Sequence, residues 1–240
     1  MHVLENHFEC KSTILIHNRI INGCQDFTLE EAEPILKKYG VTEKKWQQVL
    51  DVYTGESTDE QIMQFIEHSD VSVRAAIAKH GSDTHRDILV NDKNSNVRIN
   101  VATYGNDNHR DILINEPYCL IRQVVAQYGN DSHRDILIHD GDSLVRKYVA
   151  QYGNDLHRKF LTLDHSGLIR AYVAQYGNDS HRDILIHDDF SNVRAAVAQY
   201  GNDRHRDILI NDQSFKVISN IVQYGTDTHR EYIRMNYSYI

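Results

Sequence analysis

The sequence predicts an all-α protein, an α-solenoid of seven two-helix repeats behind a helical N-terminal cap. Three observations predict it. A 24-residue unit recurs seven times without a break from Val73 to Ile240, and a period of that length marks stacked supersecondary units. Within each unit apolar residues fall at i, i+4 and i+5, as in Val193, Val197 and Ala198, the spacing of one buried helical face. A glycine then closes each stretch, from Gly81 through Gly225, where a helix stops.

The elements follow in chain order. Residues 1–72 read as an acidic helical cap. STILIHNRII, within residues 1–24, leaves strand and helix both open. Thr28 with Glu31 and Thr58 with Gln61 have the spacing of capping boxes, and Thr42 opens a further helical stretch, TEKKWQQVLDVY, whose Trp46 reads as core packing. The segment from Thr58 to Asp70 reads as the second half of a degenerate repeat, with Phe65 and Ile66 as its apolar pair. Residues 73–240 form the seven-repeat solenoid.

Numbering each repeat 1–24 from its leading Val or Ile, the first helix buries positions 1, 5 and 6. It ends at Gly in position 9, whose freedom at left-handed φ favours a stop. Asp at position 11, Asp83 through Asp227, is expected to cap a short second helix. That helix spans about positions 12–19 and turns positions 13, 16 and 17 inward. Neither helix buries its face alone, so the neighbouring repeat supplies the core.

Composition excludes several classes. A hydrophobic share of 40% and a charged share of 25% are those of a folded chain. No apolar run approaches the roughly 20 residues of a membrane helix, and MHVLENHFECK does not read as a secretory signal. Cys10, Cys24 and Cys119 are too few and scattered for a disulfide framework. A cytoplasmic protein is expected. Residues 1–72 carry 6 Lys and Arg against 13 Asp and Glu, while residues 73–240 carry 20 against 21. The acidity sits in the cap, so a basic partner would meet it there.

The constant polar columns read mostly as scaffold. Arg at position 2 follows an acid by six residues in Asp92–Arg98, Glu116–Arg122, Asp140–Arg146, Asp164–Arg170 and Asp188–Arg194, and its planar fork suits a bridge between layers. Ile218 replaces the arginine that Asp212 would meet. His at position 13, His85 through His229, reads as a half-buried side chain bonded near the helix start. One histidine per layer, at a helix-packing spacing of about 10 Å, does not converge on a metal. Tyr at position 8 reads as a column packed inside the solenoid. Arg at position 14 (Arg86, Arg110, Arg134, Arg158, Arg182, Arg206 and Arg230) reads as structural charge, with a phosphate-facing stripe as the alternative.

The variable positions 4, 12 and 19 are the better place to look for function, since repeat proteins read partners through variable sites on a constant frame. Tyr148, Leu156, Leu163 and Tyr172 gather apolar side chains in repeats four and five, and His139, His187 and Arg204 occupy the same outward columns. These seven are the candidate partner-binding residues. Tyr232, Tyr237 and Tyr239 make the last repeat aromatic, which suits a terminal repeat or a dimer contact.

The unit V-R-x-x-V-A-x-[YH]-G-[NS]-D-x-H-R-D-I-L-x-x-D resembles the leucine-rich repeat variant, within the HEAT-like helical repeats. The resemblance covers residues 73–240 and rests on the 24-residue period and VRxxVA. It implies alternating α and 3₁₀ helices stacked into a right-handed α-solenoid. The acid-then-VR pattern is similar to the Asp/Arg ladder of HEAT repeats. The family's Asn-Pro and Thr-Pro steps are replaced here by Tyr-Gly and an Asp cap, which brings the second helix closer to α. The family has no shared catalytic motif, and Cys10 with Cys24 cannot supply the four thiolates of the iron–sulfur domain some members carry.

The function expected is therefore that of a non-enzymatic, cytoplasmic protein-binding scaffold without cofactor or metal. Its sharper form is an inhibitor or immunity-type protein whose acidic cap docks a basic partner. The alternative is nucleic-acid binding through a concave Arg/His stripe, which would be salt-dependent.

Overall fold

The computed structural model describes residues 51–52 and 56–237. The readings at Thr28, Thr42, Trp46, Cys10, Cys24 and Tyr239 lie outside them. The described residues are helices joined by short turns, with no strand among them. The chain divides into two compact units between Ile121 and Arg122. Each is a stack of two-helix repeats, and among the described residues no helix is long and apolar enough to cross a membrane.

Residues 56–121 hold the degenerate half-repeat and the first two repeats. A five-residue helix, Asp59–Met63, opens with a capping box: Thr58 accepts the Gln61 N–H while the Gln61 side chain accepts the Thr58 N–H. Its buried pair is Ile62 and Phe65; Ile66 is only half-buried. The ten-residue helices Val71–His80 and Ser95–Tyr104 pack side by side. Each is followed by a seven-residue α-helix, Asp83–Leu89 and Asp107–Leu113.

Residues 122–237 repeat the scheme. The long helices Ser143–Tyr152, Gly167–Tyr176, Ser191–Tyr200 and Phe215–Tyr224 stack in sequence. The short helices Asp131–Leu137, Asp155–Leu161, Asp179–Leu185 and Asp203–Leu209 alternate with them, and Asp227–Asn236 closes the set. The short helices are α, as the missing Asn-Pro and Thr-Pro steps suggest.

The core runs down columns 1, 5, 6 and 17. In repeat four Val145, Val149, Ala150 and Leu161 are all fully buried. Full burial of each Val or Leu is worth about 1.5–3 kcal/mol. Two expectations fail here. Position 16 does not point inward: Ile136, Phe160, Ile184 and Ile208 are each about half exposed. The Tyr column at position 8 is not inside either, since Tyr152, Tyr176, Tyr200 and Tyr224 are all exposed at the ends of their helices.

The glycine at position 9 is constant for a reason other than φ. Gly153 has φ −73° and ψ 174°, extended backbone open to any residue. A Cβ there would lie 2.5 Å from the Val149 carbonyl and 2.9 Å from Cβ of His157. Close approach of the preceding helix carbonyl and of the His157 side chain, not left-handed geometry, excludes a side chain.

Asp at position 11 is not the cap. The N-cap is the residue before it, Asn154 in repeat four, and Asp155 is the first helical residue. Asn154 Oδ1 accepts the N–H groups of Leu156 and His157 at 3.0 and 3.1 Å. His157 Nδ1 in turn accepts the Asn154 N–H at 3.0 Å. The histidine thus fills the role Gln61 plays in the degenerate repeat, closing a capping box.

Candidate functional site

The constant polar residues hold layers together. Arg146 does not pair with the Asp140 carboxylate six residues before it. Its Nε donates to Asp164 Oδ2 at 2.6 Å and its Nη2 to Asp164 Oδ1 at 3.0 Å, eighteen residues ahead in its own repeat. Asp140 is met through its backbone carbonyl, 2.8 Å from Arg146 Nη1. Arg98–Glu116 repeats the pattern in the first unit, and Arg122–Asp140, Arg170–Asp188 and Arg194–Asp212 repeat it in the second. Asp212 therefore keeps a partner although Ile218 replaces the next arginine. Burial pushes the Asp164 carboxyl up, but the Arg146 hydrogen bond, the Ser166 N–H and the guanidinium charge outweigh it and hold it below the usual aspartate range. The same bond raises Arg146.

Each ring at position 13 is buried and engaged at both ends wherever both contacts are resolved. Because Nδ1 accepts a backbone N–H, the ring hydrogen sits on Nε2, which donates to the position-15 carboxylate of the preceding repeat. His109 reaches Asp87 at 3.0 Å; His157, His205 and His229 reach Asp135, Asp183 and Asp207 at 2.9, 3.1 and 3.0 Å. Position 15 is Lys159 in repeat four and Met63 in the half-repeat. His181 and His85 then turn to the position-11 carbonyls of Asp155 and Asp59, at 3.0 and 3.2 Å.

The position-14 arginines do not form a solvent stripe. Arg158 Nε and Nη2 donate to the carbonyls of Ala150 and Gln151 at the end of the long helix, and Nη1 lies 3.5 Å from Asp155. Arg86, Arg110, Arg134, Arg182 and Arg206 do the same in their own repeats, with side chains only 10–12% exposed. Arg230 caps Val222 and Gly225 and binds Asp227. Carbonyl ends of a helix carry partial negative charge, so a guanidinium there is favourable.

Two surface clusters of the second unit remain, the first with Lys147, Tyr148 and Tyr172 half-buried and Tyr152 and Tyr176 exposed. On the long helices, Tyr148 stacks with Tyr152 at 6.0 Å and Tyr172 with Tyr176 at 5.9 Å. The Lys147 ammonium sits 5.5 Å from the Tyr148 ring and 4.9 Å from Tyr172, a cation–π bridge between repeats. On the short helices, His139 meets Phe160 edge-on at 4.9 Å. Both line a notch of about 480 Å³ with Leu163, Arg146 and His165. Arg146 Nη2 donates to His165 Nε2 at 3.2 Å. A second notch of about 460 Å³ recurs at the equivalent columns, lined by His187, Arg194, Ile208 and Asn211.

The sequence-derived candidates divide between these surfaces. Tyr148 and Tyr172 come together through Lys147. His139 and Leu163 share one notch, and His187 lines the other. Leu156 projects to solvent from the first turn of its short helix, 76% exposed. Arg204 is exposed and reaches Asp183 at 3.3 Å. Sequence reasoning passes over Lys147, His165 and the exposed column 16. For Lys147 the available signal is that position 3 is charged only in repeat four.

No family model and no curated protein matches the chain. A solved structure described as a leucine-rich repeat variant with a novel repetitive protein structural motif does match. It is 21% identical, with a TM-score of 0.61 over 72% of this chain and 75% of that one. The likeness is one of fold.

Proposed function

We propose that this chain, a helical repeat protein with the fold of the leucine-rich repeat variant, is a non-enzymatic scaffold that binds another protein through repeats four and five. The supporting observation is the group of exposed apolar side chains there, Leu156, Phe160 and Leu163, beside the half-buried Tyr148 and Tyr172, on a frame whose constant polar residues are engaged internally. Exposed aromatics on a rigid frame are the usual anchors of an interface. The inhibitor or immunity-type form of this reading assigns a basic partner to the acidic residues 1–72.

Affinity capture with the full chain and with Tyr148→Ala/Tyr172→Ala and Leu156→Asp/Leu163→Asp variants tests the proposal. A protein retained by the parent and released by either variant is the expected result. Retention of the same proteins by all three chains, or salt-sensitive nucleic-acid binding with no protein retained, would overturn it. The nucleic-acid alternative lacks support from column 14, because those guanidiniums face helix carbonyls.

A further inference from the structure

The short-helix surface of residues 122–237 combines two properties no single repeat has. Column 16 forms an apolar row, Ile136, Phe160, Ile184, Ile208 and Tyr232, each 40–57% exposed. Column 15 beside it carries Asp135, Lys159, Asp183, Asp207 and Glu231, four acids and one lysine. Asp135 and Asp207 are 73% exposed, and each accepts a hydrogen bond from a histidine Nε2 of the next repeat. By contrast the arginines that line the notches with Phe160 and Ile208, Arg146 and Arg194, are held by Asp164 and Asp212. Arg204, though exposed, leans on Asp183. The row is therefore apolar along its length and anionic along one edge. The notches under Phe160 and Ile208 open beside it at equivalent steps of the stack.

We infer that this face docks a cationic amphipathic segment of a partner protein, its apolar side chains lying along the column-16 row and in the Phe160 notch and its Lys or Arg groups meeting Asp135, Asp183 and Asp207. The occupant follows from charge complementarity. An anionic segment would meet like charge, and a second copy of this chain would bring the same acids to the contact. A purely apolar segment would leave the carboxylates facing apolar surface, at a desolvation cost. The inference rests on the protein-binding reading and assigns that partner's chemistry.

Fluorescence anisotropy with the full chain tests it, using a labelled Lys/Leu amphipathic peptide about 18 residues long. Glu/Leu and Lys/Ser peptides of the same length are the controls. The Lys/Leu peptide is expected to bind at least about tenfold more tightly than either control. Affinity should fall about tenfold in Asp135→Asn/Asp183→Asn/Asp207→Asn and in Phe160→Ser/Ile208→Ser. Asparagine keeps an acceptor oxygen for each histidine, and Phe160 and Ile208 are half exposed, so circular dichroism should stay unchanged. Equal binding of either control, or unchanged affinity in both variants, would overturn the inference. If that happens while Tyr148→Ala/Tyr172→Ala still releases a captured protein, this face is wrong and the scaffold reading stands. If neither surface responds, both fall.

Discussion

Arg146 binds Asp164, eighteen residues ahead, with both of its outward nitrogens, and touches Asp140, six residues behind, only through a carbonyl. One guanidinium thus joins the end of its own repeat to the end of the repeat before it. Both side chains are at most 5% exposed, so the pair cannot fall back on water when one partner is lost.

Asp164→Asn and Arg146→Met should each therefore destabilise by about 3–5 kcal/mol, because each leaves a buried charge or fork uncompensated. The double variant Arg146→Met/Asp164→Leu should recover most of that loss. Urea denaturation followed by circular dichroism measures both. Equal losses in the single and double variants would contradict this account.

The ladder also sets an acid response. Asp140, Asp164, Asp188 and Asp212 all titrate below the ordinary 3.8, because their arginine and backbone hydrogen bonds and the guanidinium charge outweigh burial. A depressed carboxyl contributes its full stability above the unfolded value and loses it as pH falls through the folded one. Thermal midpoints should be insensitive to these four groups above about pH 5 and should fall steeply below about pH 4. The slope below pH 4 should shrink in Arg146→Met/Asp164→Leu, which removes one of them.

Two glycines give opposite predictions. A Cβ on Gly153 would collide with the Val149 carbonyl and the His157 ring, whereas one on Gly141 would meet nothing within 4 Å. Gly153→Ala should cost about 1–3 kcal/mol. Gly141→Ala should be neutral or stabilise by up to about 1 kcal/mol, by restricting the unfolded chain. Parallel melting curves of the two variants provide the comparison.

Gln61 already performs the capping that histidine performs elsewhere. His157→Gln should therefore retain the bond to the Asn154 N–H and lose only the link to Asp135. His157→Ala loses both and should be about 1 kcal/mol less stable than the glutamine variant. Hydrogen exchange at the Asn154 amide reads the cap directly, and equal exchange in both variants would argue against it.

The repeat unit, its two helices and core columns 1, 5, 6 and 17 were legible in the sequence, because apolar spacing and glycine punctuation are local signals. Partner assignment was not. In a strict 24-residue period, the acid six residues before Arg146 and the one eighteen residues after it occupy the same column. Repetition therefore makes Asp140 and Asp164 indistinguishable to a reader of letters. Asn154 and Asp155 are both good caps, and only the backbone decides between them. Ile184 and Leu185 are both aliphatic, yet one is half exposed and the other buried, since a two-turn helix is too short for its apolar stripe to show a phase. The exposed row that marks the candidate interface was hidden for that reason.

The fallback of His181 onto the Asp155 carbonyl has a consequence for how such a chain changes over generations. Every repeat has that carbonyl, so the junction survives whatever side chain mutation places at column 15. Excision of residues 167–190 would bring His205 opposite Lys159 and Asp155, the environment His181 now occupies. Copies can thus be gained, lost or shuffled within the array without a matched change in the neighbour, and the outer columns can diversify while the joints are inherited intact.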